Sequence, residues 1–236
     1  MRLSPRAATL LAVAALPLAL TACSAGSSSG TGGAGAKPAE AKDLNTGLPT
    51  GTRLKGALAP APAFPAGLKL ESDGSADTGS QFLSPSARRT AKPDCTRLGG
   101  TSWIQVTGYK GGVSFAQNDY ANHDKTQEVA QEIDAFQGTT ASSVLKQLQT
   151  VAGECGTFTD TDTHATVKVT GKSTSGLGDE AYTMTLTSGA WQNGTTLIAA
   201  RSGNSLVTVL STAGTDNGAA SAKKVTTTVL AALKKG

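Results

Sequence analysis

Proline and aromatic residues divide this chain almost completely, and that division limits where a core can form. All nine prolines lie at or before Pro93, and nine of the ten aromatic residues lie at or after Phe82. Large rings supply the apolar area that offsets the entropy of ordering a chain, while Pro, Gly, Ser and Ala supply little. One folded domain is therefore expected over residues 81–236, about 155 residues and enough for a single core. Residues 23–80 read as a tether. Ser27-Ser28-Ser29-Gly30-Thr31-Gly32-Gly33 has a flexible-linker composition, and Ala59-Pro60-Ala61-Pro62-Ala63-Phe64-Pro65 a stiffer, extended one. With 16% charged residues and three Cys in 236 residues, a multi-pass membrane protein, a charge-rich disordered tail and a disulfide-dense small scaffold are excluded.

The first 22 residues read as a signal peptide. Arg2 and Arg6 supply a basic start, residues 7–22 carry no charge, and small residues precede a break. Sixteen uncharged residues interrupted by Pro17 fall short of the roughly 20 that span a bilayer. The break, Leu20-Thr21-Ala22-Cys23, resembles the lipobox of bacterial lipoproteins. That resemblance implies that the Cys23 thiolate takes a diacylglyceryl group and becomes an acylated N-terminus, with the domain outside the cytoplasm. Two or three acyl chains, at about 0.8 kcal/mol per buried methylene, hold a protein to a membrane where one does not.

Beyond residue 80 strand and helix patterns alternate. Residues 102–107 and 113–116 are strand candidates around Gly111-Gly112, and residues 164–170, 181–187, 195–200 and 206–211 alternate as half-buried strands do. Asn193-Gly194 and Gly203-Asn204 read as two-residue hairpin turns. Val144, Leu145, Leu148 and Val151 have helical spacing, as do Val225, Val229, Leu230 and Leu233. Residues 126–137 fit either element: Val129, Ile133 and Phe136 suit a helix, whereas Val129, Gln131, Ile133 and Ala135 share one face of a strand. Hairpins with few helices define an α+β fold, an antiparallel sheet flanked by helices.

With Cys23 assigned to lipid, Cys95 and Cys155 remain, in a compartment where disulfides persist. Their pairing would stabilise the fold by up to about 4 kcal/mol on the chain-entropy estimate. Neither cysteine lies in a nucleophile context, and two without clustered His do not make a zinc site.

Several short pieces resemble the extracellular sensor domain of the mycobacterial receptor kinase PknH and related actinobacterial lipoproteins. They are Pro93-Asp94-Cys95, Glu154-Cys155-Gly156-Thr157-Phe158, Leu177-Gly178-Asp179-Glu180-Ala181 and Arg201-Ser202-Gly203-Asn204. The resemblance implies an antiparallel sheet flanked by helices, a cleft for an unidentified ligand, and a strand over residues 126–137. That kinase domain carries a second disulfide for which this chain has no cysteines, and signalling does not transfer with a fold.

Candidates for chemistry are sparse. Asp160, Asp162 and His164 would share a face if extended, but no fourth metal ligand accompanies them, and a polar loop explains them. Asp179 and Glu180 are adjacent, so on a strand they would point to opposite faces. Ser114, Asp119 and His123 lie close in sequence without a nucleophile-elbow pattern. No catalytic, metal or cofactor site is expected. From residue 81 onward 14 basic residues face 12 acidic ones, too balanced for nucleic acid, and the pairs Lys223-Lys224 and Lys234-Lys235 suit a solvated helix face.

The expectation is a non-catalytic lipoprotein, anchored to the outer face of the cell membrane, whose domain binds a small apolar or cell-wall-derived ligand. Trp103, Phe115, Tyr182 and Trp191 are its candidate walls. A module that binds another envelope protein is the alternative, and a hydrolase ranks last. Replacing Cys23 by Ala is expected to move the protein from the membrane fraction to the soluble one. Undiminished membrane retention of Cys23→Ala contradicts the anchor.

Overall fold

A computed structural model describes residues 43–85, 87–89, 91–100 and 103–235. The signal peptide, Cys23 and the first twenty residues of the expected tether lie outside the described residues. Among the described residues no helix is long and apolar enough to cross a membrane.

The fold is α+β. Helix α1 (Gly51–Ala57) comes first, then the short strands β1 (Lys69–Leu70) and β2 (Ala76–Asp77), β3 (Ser114–Ala121), β4 (Glu128–Ala135) and helix α2 (Thr140–Glu154). Strands β5 (Thr157–Thr159), β6 (Thr166–Ser173), β7 (Glu180–Ser188), β8 (Thr195–Ser202) and β9 (Ser205–Ser211) follow, and helix α3 (Ala219–Leu233) ends the order. The strands form one antiparallel sheet in the order β1-β3-β4-β9-β8-β7-β6-β5, with β2 also on the outer edge of β3. Helices α1 and α3 cover one face, and α2 with the 3-10 turns Cys95–Gly99 and Trp103–Thr107 covers the other.

Segment 126–137 contains a strand, Glu128–Ala135. As β4 it sends Val129, Ile133 and Ala135 toward α1 and α3, while Gln131 between them bonds the backbone N–H and C=O of Ala59 at 2.9 and 3.0 Å. A polar residue that spoils the apolar alternation is thus satisfied by a distant segment, which no local pattern could reveal.

Four expectations change. First, the expected strand over residues 102–107 does not form over its described part: Trp103, Ile104, Val106 and Thr107 are buried in a 3-10 turn under α2. Apolar residues at consecutive positions can all face a core when the chain winds rather than alternates. Second, β8 and β9 are not half-buried. They lie in the centre with both faces covered, so nearly every residue of each is buried. Third, β7 and β8 are joined by six residues, 189–194, rather than by an Asn-Gly turn. Gly203-Asn204 does join β8 to β9 in two residues, with Ser202 opposite Ser205.

The fourth change concerns the boundary at residue 80. Leu54 is fully buried, and Phe64 is buried and stacked on Tyr120 with ring centroids 3.8 Å apart. Both belong to the core under α3. The composition misleads because small residues can form a wall through close approach rather than bulk. Gly51 starts α1 directly against Thr78, and a Cβ there would lie 2.6 Å from the Thr78 nitrogen.

Cys95 and Cys155 are disulfide-bonded, with Cα atoms 5.5 Å apart. The bond ties the 3-10 turn at Cys95–Gly99 to the end of α2.

The folded position of residue 64 is directly testable. Phe64→Ala is expected to lower stability by about 3 kcal/mol, read as a shift of the urea midpoint. A tether residue would give no shift.

Candidate ligand groove

A groove of about 600 Å³ opens at one end of the α1–α3 layer, within the size range of small-molecule sites. One wall is the turn at residues 45–49, closed by the Leu48 N–H donating to the Asn45 carbonyl at 2.9 Å. Two long-range bonds hold this turn on the sheet. Gln137 Nε2 donates to Asn45 Oδ1 at 2.8 Å, and the Ser114 hydroxyl donates to the Pro49 carbonyl at 2.6 Å. The opposite wall is the β8–β9 turn with Ser202, Asn204 and Ser205. Gly203 there has φ 58°, the left-handed conformation that glycine accepts most readily. Its N–H donates to Asp179 Oδ2 at 2.7 Å, and the Asn204 amide donates to the Phe136 carbonyl at 3.2 Å.

Leu48, Leu54, Ala57, Ala232 and Leu233 supply the apolar lining, and Thr46 with the two serines and Asn204 supplies polar groups. Arg53 is the one charged side chain among the lining residues, and it is exposed. Apolar patches among hydroxyl, amide and backbone groups, with one cation, suit a molecule with both an apolar part and a polar or anionic part.

None of the four expected wall residues lines this groove. Trp103 is core under α2 and borders a small hollow with Gln117 and Thr208. Phe115 lies on β3 opposite Asp134. Tyr182 packs its ring over Gly171, where a Cβ would lie 2.1 Å from the phenol oxygen, and burial raises its pKa. Trp191 is half-buried in the β7–β8 loop and donates its indole N–H to Asp160 at 2.9 Å. The walls escaped sequence reading because most of them come from residues 46–57, where composition pointed to a tether.

The weaker candidates separate in the same way. Asp160, Asp162 and His164 are not extended: Asp160 is buried and accepts from the N–H groups of Asp162 and Thr163 at 2.7 and 3.1 Å, closing a turn. Burial raises its pKa, but those two bonds and the Trp191 indole outweigh it, and the net shift is downward. Among the described residues no group of three or more His, Cys, Asp or Glu could hold a metal ion. The Ser114 hydroxyl is spent on Pro49, and His123 is exposed. Asp179 and Glu180 converge after all, at 3.1 and 3.8 Å from the Arg201 guanidinium. Asp179 precedes β7, so strand alternation does not govern it.

A stripe of carboxylates was not singled out from the sequence, although the alternation Glu128, Glu132, Asp134 signals it. With Asp119 across the β3–β4 pair, these side chains occupy the α2 side of the sheet. Burial, with the Asp119 and Glu71 carboxylates nearby, pushes the Glu128 pKa up to about 7.

Compared with known proteins, the chain matches no family model and no curated protein.

Glu128 makes stability depend on pH. Between its ordinary value of 4.5 and about 7 the folded protein holds a proton that the unfolded chain releases. Stability is therefore expected to fall as pH rises through this window, by at most about 3 kcal/mol. Urea midpoints at pH 5 and pH 8 should lie closer together in Glu128→Gln than in the wild type. An unchanged gap contradicts this assignment.

Proposed function

We propose that this chain is an extracytoplasmic lipoprotein, anchored through Cys23, whose domain binds a small apolar or cell-wall-derived ligand without transforming it. The observation that carries the ligand reading is the groove. It has the volume of a ligand site, and its lining mixes apolar side chains with a larger share of polar surface. The leader and the Leu20-Thr21-Ala22-Cys23 sequence support the location, as does a disulfide of the kind that persists outside the cytoplasm. Binding is favoured over catalysis because the groove lining offers Arg53 and hydroxyls but no histidine, cysteine or carboxylate to act as base or nucleophile.

The test is native mass spectrometry of the protein extracted from its own membranes in mild detergent. A reproducible adduct on the wild type is expected, and its mass names the ligand class. Gly56→Trp should abolish it. Gly56 lines the groove on the exposed side of α1, and a Cβ there meets no atom within 4 Å, so the indole fills the groove without backbone strain. Gly56 lies in the last turn of α1 at an exposed position, so the replacement should leave stability within about 0.5 kcal/mol. A bare wild type in repeated preparations, or an adduct retained by Gly56→Trp, argues against the groove as a ligand site.

A further inference from the structure

Cations gather on the layer formed by α1 and α3. Residues 44–68, which include α1, and residues 219–235, which include α3, contain Arg53, Lys55, Lys223, Lys224, Lys234 and Lys235 and no Asp or Glu. All six are exposed. The two segments form one layer: they share the same core cluster, and Lys224 Nζ reaches across to the Pro62 carbonyl at 3.4 Å. Lys55 meets a carboxylate, Asp77 at 3.1 Å, whereas the other five make no ion pair among the described residues.

The strands follow this sorting in part, with Asp77 of β2 on the α1–α3 side and Lys69 and Arg201 on the α2 side as exceptions. Strand β6 buries Val167 and Val169 against α2, so Lys168 and Lys172 project to the α3 side. The carboxylates of β3, β4 and β7, which are Asp119, Glu128, Glu132, Asp134 and Glu180, take register positions on the α2 side. Residues 44–235 hold 17 basic and 15 acidic residues, so the basic layer arises from placement rather than from excess charge.

We propose that the α1–α3 layer docks on an anionic lipid surface. Clustered Lys and Arg are drawn to the negative potential of such a surface, and apolar residues among them can enter the headgroup region. Leu44 is 64% exposed beside this layer, and Pro60, Ala61, Pro62 and Ala231 are exposed between the cations. A single-stranded nucleic-acid platform would instead present stacking aromatics, and the one aromatic residue of these segments, Phe64, is buried. The proposal goes beyond the ligand reading and stands on the charge distribution without it.

The experiment is co-sedimentation of the full chain carrying Cys23→Ala, so that no acyl chain contributes, with phosphatidylcholine vesicles that contain or lack phosphatidylglycerol. The readout is the gain in binding that phosphatidylglycerol provides. Lys223→Glu with Lys235→Glu should reduce that gain by more than about tenfold. Lys92→Glu with Lys146→Glu reverses two exposed charges outside the layer, gives the same net charge, and should leave the gain intact. Thermal melts by circular dichroism show that both variants are folded. Equal losses in the two variants, no loss in either, or no gain from phosphatidylglycerol in the parent each overturns the proposal. So does equally tight, Lys223- and Lys235-dependent binding to soluble polyphosphate, which would make the partner an anionic polymer rather than a lipid surface.

Discussion

The pairing of β4 with β9 holds the two halves of this protein in one sheet. On one side of the seam lies the β3–β4 hairpin with β1 and β2 on its edge, and on the other the meander from β6 to β9. The seam runs from Val129 opposite Ser211 to Ala135 opposite Ser205. Beyond the last pair, the Phe136 N–H donates to the Asn204 carbonyl at 2.9 Å. Contacts so distant in sequence must offset the entropy of closing a long loop, and this seam does so by burial on both faces. Val207 and Val209 meet the α1–α3 core, while Leu206 and Leu210 meet the α2 core. The disulfide then fixes the α2 end of the long connection to the turn at Cys95.

Once the seam is made, both surface features follow from which segments cover which face. Residues 44–68 lie on the α3 side because Gln131, Ser114 and Gln137 of the sheet and its margin offer the hydrogen bonds that hold Ala59, Pro49 and Asn45. That placement leaves a gap between the 45–49 turn and the β8–β9 turn, which is the groove. It also puts two segments without a single carboxylate side by side. The carboxylates on β3 and β4 are driven to the other side, where partial burial and mutual repulsion keep Glu128 protonated to unusually high pH.

Several elements were legible in the residues. The stripe Val144, Leu145, Leu148 and Val151 and the stripe Val225, Val229 and Leu230 are the buried faces of α2 and α3. Two cysteines remaining once Cys23 is set aside sufficed to expect the disulfide. Gly203-Asn204 marked a hairpin because a two-residue turn needs a residue tolerant of positive φ. What was not legible depends on distant partners. Trp103 and Ile104 wind into a turn because α2 offers a surface to fill, and Gln131 is acceptable in a buried strand because Ala59 satisfies it. The groove was hidden for the same reason, since most of its lining residues read as linker until a sheet lies beside them.

By itself, the sequence determined the class of fold, the main helices and strands and the covalent cross-link. These rest on local periodicity, on turn chemistry and on cysteine number, none of which needs a distant neighbour. The tertiary structure alone decided that residues 44–68 pack into the core, that Gln131 can sit in a buried strand, and that near-neutral composition gathers six cations on one layer. Each of these depends on which residues meet across the sheet, and a chain of Ala, Gly and Pro carries no local mark of the surface it will cover.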